Sequence, residues 1–243
     1  MARSPRILDD PSSGETPPEQ QPPARPPGPR WTPVCTAIIA GSAVMYALGH
    51  GHLLPLVSSK PDAIALAQGG NPLALYGPLV QQGEYWRMLS CVFEHGNLIH
   101  ILFNMSVVWT LGFMLERAIG SWRFLGLSVV TALGASAFAL FFDFDRPMVG
   151  ASGMILGWAG AMLPIATEQG RRQLGTWLVQ VVIISLLPGV SWAGHLGGFL
   201  FGLPCGAALR MGRSVYAKAL PLILFITAVV ALFAAHPERR WGF

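Results

Sequence analysis

Charge is what this sequence has least of. Asp, Glu, Lys and Arg supply 12% of its 243 residues, against 52% apolar residues. A soluble domain carries about 25% charge, so an ordinary water-solvated globule is excluded. Cysteine is equally sparse. Cys35, Cys91 and Cys205 are odd in number and two lie in apolar stretches, which excludes a disulfide framework and reads as packing. No HExxH occurs; Glu94 precedes His95, the reverse order, so the helical zinc-protease motif is absent. The apolar runs hold no aspartate, which removes a paired-aspartate intramembrane protease. They show no inverted repeat of the kind expected in many transporters. No basic run is interleaved with aromatics, so the net charge of +4 fits membrane-flanking Arg and Lys and not a nucleic-acid surface.

What is present is long charge-free runs: 31–59, 95–115, 124–142, 147–167, 173–209 and 219–237. A spanning helix needs about 20 predominantly apolar residues. The run 173–209 is too long for one span, and Pro188-Gly189 marks a turn inside it. The expectation is an all-α polytopic membrane bundle with seven spans near 33–50, 97–116, 122–142, 150–167, 174–188, 193–210 and 216–235, the fifth of them short. Residues 1–30 hold nine prolines and few large apolar side chains. Such a segment buries too little surface to offset its ordering entropy and reads as a disordered tail. It contains no apolar signal-peptide core. Residues 51–94 form a long apolar connection broken by Pro and Gly, ending in Gly83-Glu84-Tyr85-Trp86-Arg87, a composition suited to the headgroup level.

Cytoplasmic loops carry the excess of Lys and Arg. With the N-terminus inside, eleven of the sixteen Lys and Arg fall on inner segments. That orientation puts three unusual stretches at one depth, near the outer surface. His95-Gly96-Asn97-Leu98-Ile99-His100 opens span two, with Asn104 one turn after His100 on the same face. Gly150-Ala151-Ser152-Gly153 opens span four within a stripe of Gly150, Gly153, Gly157 and Gly160. Span six begins with His195 beside Gly194, Gly198, Gly202 and Gly206. Stripes of small residues let membrane helices approach backbone to backbone. Ser152 is then a nucleophile beside the base His195. His100, Asn104 and the Ser152 backbone N–H supply donors for an oxyanion. His95 lies out of phase, at the helix entry, and braces the loop. Asp143 and Asp145 sit in the outer loop, solvated, so the reading is a dyad.

These residues resemble the rhomboid family of intramembrane serine proteases. The spacing HxxxxHxxxN from His95 to Asn104, GxSG at Gly150–Gly153 and HxxG at His195–Gly198 all match, as do Trp86-Arg87 and the stretch 115–124. The resemblance covers about residues 33–210 and implies a six-helix core, 31–213, around a water-filled cavity that opens outward. A seventh transmembrane helix and tail would follow at 214–243. It implies Ser152 as nucleophile and His195 as general base, with an oxyanion hole of His100, Asn104 and Ser152. His95, Trp86, Arg87, Gly150, Gly153 and Gly198 would be supports. It implies no metal and no cofactor. Substrates would be single-pass or polytopic membrane proteins, cut in or near a transmembrane helix within the lipid bilayer; nothing in the pattern sets an oligomeric state. The expected location is a bacterial inner membrane, N-terminus cytoplasmic, with the site open to the periplasmic side. One position departs from the family pattern: Leu156 stands where relatives commonly carry an aromatic residue packed on the catalytic histidine. The competing readings are a catalytically inactive rhomboid-like chaperone or binding protein, and a transporter with His95, His100 and His195 as a relay.

Overall fold

The computed structural model describes residues 31–49 and 73–239. The proline-rich segment 1–30 and residues 50–72 of the outer connection lie outside them. The long elements are all helices: α1 Pro33–Gly49, α2 Leu98–Ile119, α3 Ser121–Phe142, α4 Ser152–Met162, α5 Glu168–Ser185, α6 Trp192–Met211 and α7 Arg213–Ala234. One antiparallel bridge, Leu75 with Met148, is the only strand-like pairing among the described residues. The architecture is the all-α membrane bundle that the charge-free runs predict. Three of the helices, α2, α3 and α7, are each long and apolar enough to cross a membrane.

Two elements differ from the sequence-based bounds. The fourth stretch, expected over 150–167, is a helix of only 11 residues. At 1.5 Å per residue it rises about 16 Å, roughly half of a hydrocarbon core. It stops because a helix ends at or before the residue preceding a proline, here Pro164. A short helix survives at membrane depth only when protein surrounds it, and every residue from Gly153 to Ala161 is buried. The fifth helix is 18 residues and begins at Glu168, not near 174. Thr167 caps it by accepting a hydrogen bond from Gly170 N at 3.1 Å. Arg172 pairs with Glu168 across one turn at 2.7 Å. Its first turn is therefore polar and lies in front of the charge-free run.

The core lies between α3, α4 and α6. Glycine decides the α4–α6 contact. A Cβ on Gly198 would overlap the carbonyl of Gly153, one on Gly202 that of Gly157, and one on Gly206 that of Ala161. Membrane helices lack a hydrophobic drive to associate, so van der Waals contact at this range holds them. The outer helices behave differently. In α5 only Leu174 and Val181 are buried. In α7 the side chains of Leu222, Phe225, Ile226 and Phe233 are more than half exposed. A soluble protein rarely shows such contiguous apolar faces; in a bilayer they meet acyl chains.

Contacts between helix ends alternate from one face to the other. Buried Glu116, near the end of α2, accepts hydrogen bonds from Val34 N at 3.0 Å and Cys35 N at 2.8 Å. A carboxylate there satisfies two orphan amides of α1 and complements its dipole. On the same face Arg123 Nε donates to Arg213 O at 3.2 Å. On the opposite face the outer connection meets the end of α7. Gln81 Nε2 donates to Glu238 Oε2 at 2.6 Å, and Tyr85 Oη lies 2.8 Å from His236 Nε2. Arg87 ties that connection together from within. It is 4% exposed, donates to Glu84 Oε2 at 2.6 Å and to Ala74 O at 2.9 Å. Trp86 beside it is exposed, as a headgroup-level aromatic would be.

The glycine contact yields a first prediction. Gly202→Leu forces α4 and α6 apart and should lower thermal stability in detergent micelles by at least the ~1–3 kcal/mol typical of overpacking. Gly175 in α5 faces open space, so Gly175→Ala should be neutral or stabilising by up to about 1 kcal/mol. Equal melting shifts for the two variants would reject the close-contact account.

Candidate active site

Ser152 is the first residue of α4, and its position is set by the turn before it. Gly150 has φ of +114°, a conformation that side-chain-bearing residues rarely adopt. Its N–H donates to Cys91 O at 2.9 Å, which fastens the turn to the end of the outer connection. A Cβ at Gly150 would lie 2.7 Å from both Cε1 and Nε2 of His100. Glycine here thus serves twice, for the turn and for the imidazole beside it.

His195 sits in the first turn of α6. Ser191 caps that turn by accepting from Gly194 N at 3.1 Å. Gly153 abuts Gly194 O, at 3.0 Å from an added Cβ, and Gly198 abuts Gly153 O. This contact brings His195 Nε2 to 2.8 Å from Ser152 Oγ. His195 is 8% exposed, and Ser152 is partly buried. A hydroxyl proton directed at an imidazole nitrogen over that distance has the geometry of an activated nucleophile.

The other ring nitrogen of His195 has a partner as well. Nδ1 lies 2.6 Å from Ser185 Oγ, at the end of α5. Ser185 Oγ also donates to Val181 O at 2.7 Å. Sequence analysis does not single out Ser185. The signal was available: with the N-terminus inside, the fifth span ends outside, at the depth of His195, and Ser185 is the hydroxyl there.

His100 and Asn104 occupy one face of α2, as their spacing predicts. Asn97 caps the helix by accepting from His100 N at 2.8 Å. His100 Nδ1 accepts from Gly96 N at 3.4 Å, so its proton is on Nε2, the nitrogen nearest Gly150. Asn104 is buried and donates one amide proton to His100 O at 2.8 Å, leaving a second on the same nitrogen. His95 is fully buried, its ring edge-on to His100 with centroids 5.1 Å apart. Burial, and then the neighbouring His100, pull its pKa down to about 3, so it is a neutral wedge. Asn104 Oδ1 has no hydrogen-bond partner among the described residues, and the polar neighbour of the His95 ring is the backbone of Phe93. Leu156 is buried within α4. Trp158 is committed to the core, its Nε1 donating to Ser128 Oγ at 3.1 Å and its ring 4.8 Å from that of Phe124. Asp143 lies 3.9 Å from Arg146 in the loop before α4. No cluster of metal-ligating side chains occurs among the described residues.

Residues 82–212 match the Rhomboid domain. Over 164 residues, 64% of this chain and 32% of the relative, the sequence is 31% identical to Rhomboid protease GluP of Bacillus subtilis (strain 168). It is 35% identical to RHOMBOID-like protein 5 of Arabidopsis thaliana over 149 residues, 57% of this chain and 48% of that protein. It is 33% identical to Rhomboid-like protease 1 of Toxoplasma gondii over 166 residues, 63% and 55% of the two chains. The aligned part spans between 32% and 55% of these relatives' length.

The Ser152–His195 geometry predicts selective acylation chemistry. A fluorophosphonate should label the purified protein at one site, lost in Ser152→Ala. His195→Ala should slow labelling by about 10²–10⁴-fold, the usual contribution of a positioned base. Labelling at another serine, or at an unchanged rate in His195→Ala, would separate the hydrogen bond from reactivity.

Proposed function

The chain belongs to the rhomboid family, and we propose that it is an intramembrane serine endopeptidase working by a Ser152–His195 dyad. The observation that carries this is the 2.8 Å contact between Ser152 Oγ and His195 Nε2, on helix ends at one face of a membrane bundle. Ser152 Oγ attacks the scissile carbonyl carbon as its proton passes to His195 Nε2. The negative oxygen of the tetrahedral intermediate is met by the Ser152 backbone N–H, His100 Nε2–H and the second amide proton of Asn104. Collapse breaks the C–N bond, and His195 returns the proton to the leaving amine. Water then attacks the acyl ester with His195 again as base, releasing the acid and restoring the serine.

The substrates in this reading are membrane proteins. A transmembrane helix has its carbonyls engaged internally, because lipid offers no alternative partner. Cleavage therefore needs a helix top that unwinds easily, with Gly, Pro or small polar residues. The substrate segment enters laterally past α5. Its support is that α5 buries only two side chains, Leu174 and Val181, while α4 and α6 are locked by glycine. Residues 31–213 form the catalytic core in this proposal, and 214–243 an added helix and tail. The protein lies in a bacterial inner membrane, with the N-terminus cytoplasmic and Ser152 near the opposite surface.

The test is cleavage of a fluorogenic transmembrane substrate by the purified protein. Cleavage should vanish in Ser152→Ala and His195→Ala and persist with a chelator present. Asn104→Ala should retain activity reduced by about 10²–10³, the effect of one oxyanion donor. A cleavage-free wild type that still binds the substrate would favour a non-proteolytic binding protein. A second prediction concerns the gate: crosslinking α5 to α2 should slow cleavage of membrane substrates. Unchanged turnover would reject lateral admission past α5.

A further inference from the structure

We propose that Ser185 is a positioning residue for the general base, fixing His195 in the tautomer that the reaction requires; the inference rests on the dyad reading above. A serine hydroxyl has one proton and two acceptor lone pairs. The Ser185 proton is engaged by Val181 O at 2.7 Å, a bond within α5. The oxygen therefore faces His195 Nδ1, at 2.6 Å, as an acceptor. A neutral imidazole carries one N–H, and the partner of one nitrogen decides the state of the other. With the proton on Nδ1, the Nε2 lone pair points at Ser152 Oγ, 2.8 Å away. The reverse tautomer would set an N–H against the Ser152 hydroxyl and leave Nδ1 facing an oxygen with no proton to give.

When His195 takes the Ser152 proton, both nitrogens become donors. Ser185 is already placed to accept from the charged ring, so the imidazolium gains a polar contact where burial disfavours charge. The chain from Val181 O through Ser185 and His195 to Ser152 thus does, with a hydroxyl, the orienting task that a carboxylate performs in a three-residue charge system. It has a further consequence. The hydroxyl belongs to α5, of which only Leu174 and Val181 are buried. The base is thereby tied to the seated position of a lightly held helix. A substrate that displaces α5 leaves His195 without its Nδ1 acceptor until the helix reseats.

The test combines kinetics with nitrogen NMR of histidine-labelled protein in micelles, using His195→Gln to assign the ring signals. Wild type should show His195 protonated at Nδ1. Ser185→Ala should lower kcat by about 10–100-fold, part of what a positioned base contributes, with little change in KM and a mixture of tautomers. Ser185→Thr keeps the hydroxyl and should restore both kcat and the Nδ1–H signal. An unchanged tautomer in Ser185→Ala overturns the proposal whatever the rate, and marks any rate loss as packing. A tautomer change in a protein whose wild type cleaves nothing would uphold the positioning while sinking the protease reading.

Discussion

Everything at the site depends on two backbones meeting. The α4 and α6 helices touch through Gly153, Gly157, Gly198 and Gly202, where an added methyl would overlap a facing carbonyl. In water such contact would be supplemented by burial of apolar surface. In lipid the exterior is as apolar as the interior, so shape complementarity and the dispersion contacts it permits decide which helices pair. The same contact fixes chemistry. Ser152 and His195 are each in the first turn of one of these helices, so the register of the glycines sets the distance between oxygen and nitrogen. A site on helix termini keyed together in this way is held by scaffold geometry, which suits a reaction needing sub-ångström placement.

The remaining polar groups obey a second constraint, that a buried donor or acceptor needs a partner. Most find one locally. Ser128, Thr131 and Thr227 turn back to carbonyls of their own helices. Glu116 is buried, and both of its oxygens accept from the amides that open α1. One exception, Ser42 Oγ, lies on α1; others lie beside the site. Asn104 Oδ1 lacks a partner among the described residues, and the buried His95 ring has the backbone of Phe93 as its polar neighbour. Local hydrogen bonding was evidently not the criterion that placed these side chains. His95 presses edge-on against the His100 ring, and Asn104, one turn below, donates to the His100 backbone carbonyl.

Membrane character and the main polar constellation were legible because their physics is local. Spans announce themselves by missing charge. The four-residue repeat of glycine in α6 announces a helix that another helix touches. The structure brings the three motif stretches together: Ser152 touches His195, and His100 lies against Gly150. Other features were not legible, each for a physical reason. The length of α4 depends on Pro164 and on full enclosure by protein, and apolar content records neither. The start of α5 lies among Glu168, Arg171 and Arg172, so a search for charge-free runs begins it too late. The Glu116 cap joins positions more than eighty residues apart. Ser185 fell in a span whose other polar residues, Thr176 and Gln180, lie further from its outer end. A serine there usually bonds its own helix, and this one does, through Val181; the position of His195 is what shows its second contact.

The site is thus assembled from elements of unequal firmness, and the division follows chemical need. In the proposed dyad the Ser152–His195 distance tolerates little error, and it is set by the glycine-locked pair α4 and α6. The oxyanion donors of the proposed mechanism come from α2, whose first turn is capped by Asn97 and wedged by His95. The Nδ1 partner comes from α5, the least embedded of the three. A bilayer enzyme that admits its substrate from the side needs one wall that yields. In the proposed mechanism a yielding wall that also holds the base's tautomer would couple admission to reactivity: with the wall displaced, the nitrogen facing Ser152 would no longer be reserved as an acceptor. A bundle in which every wall was glycine-locked would hold its base more firmly and would have no way to receive a helix.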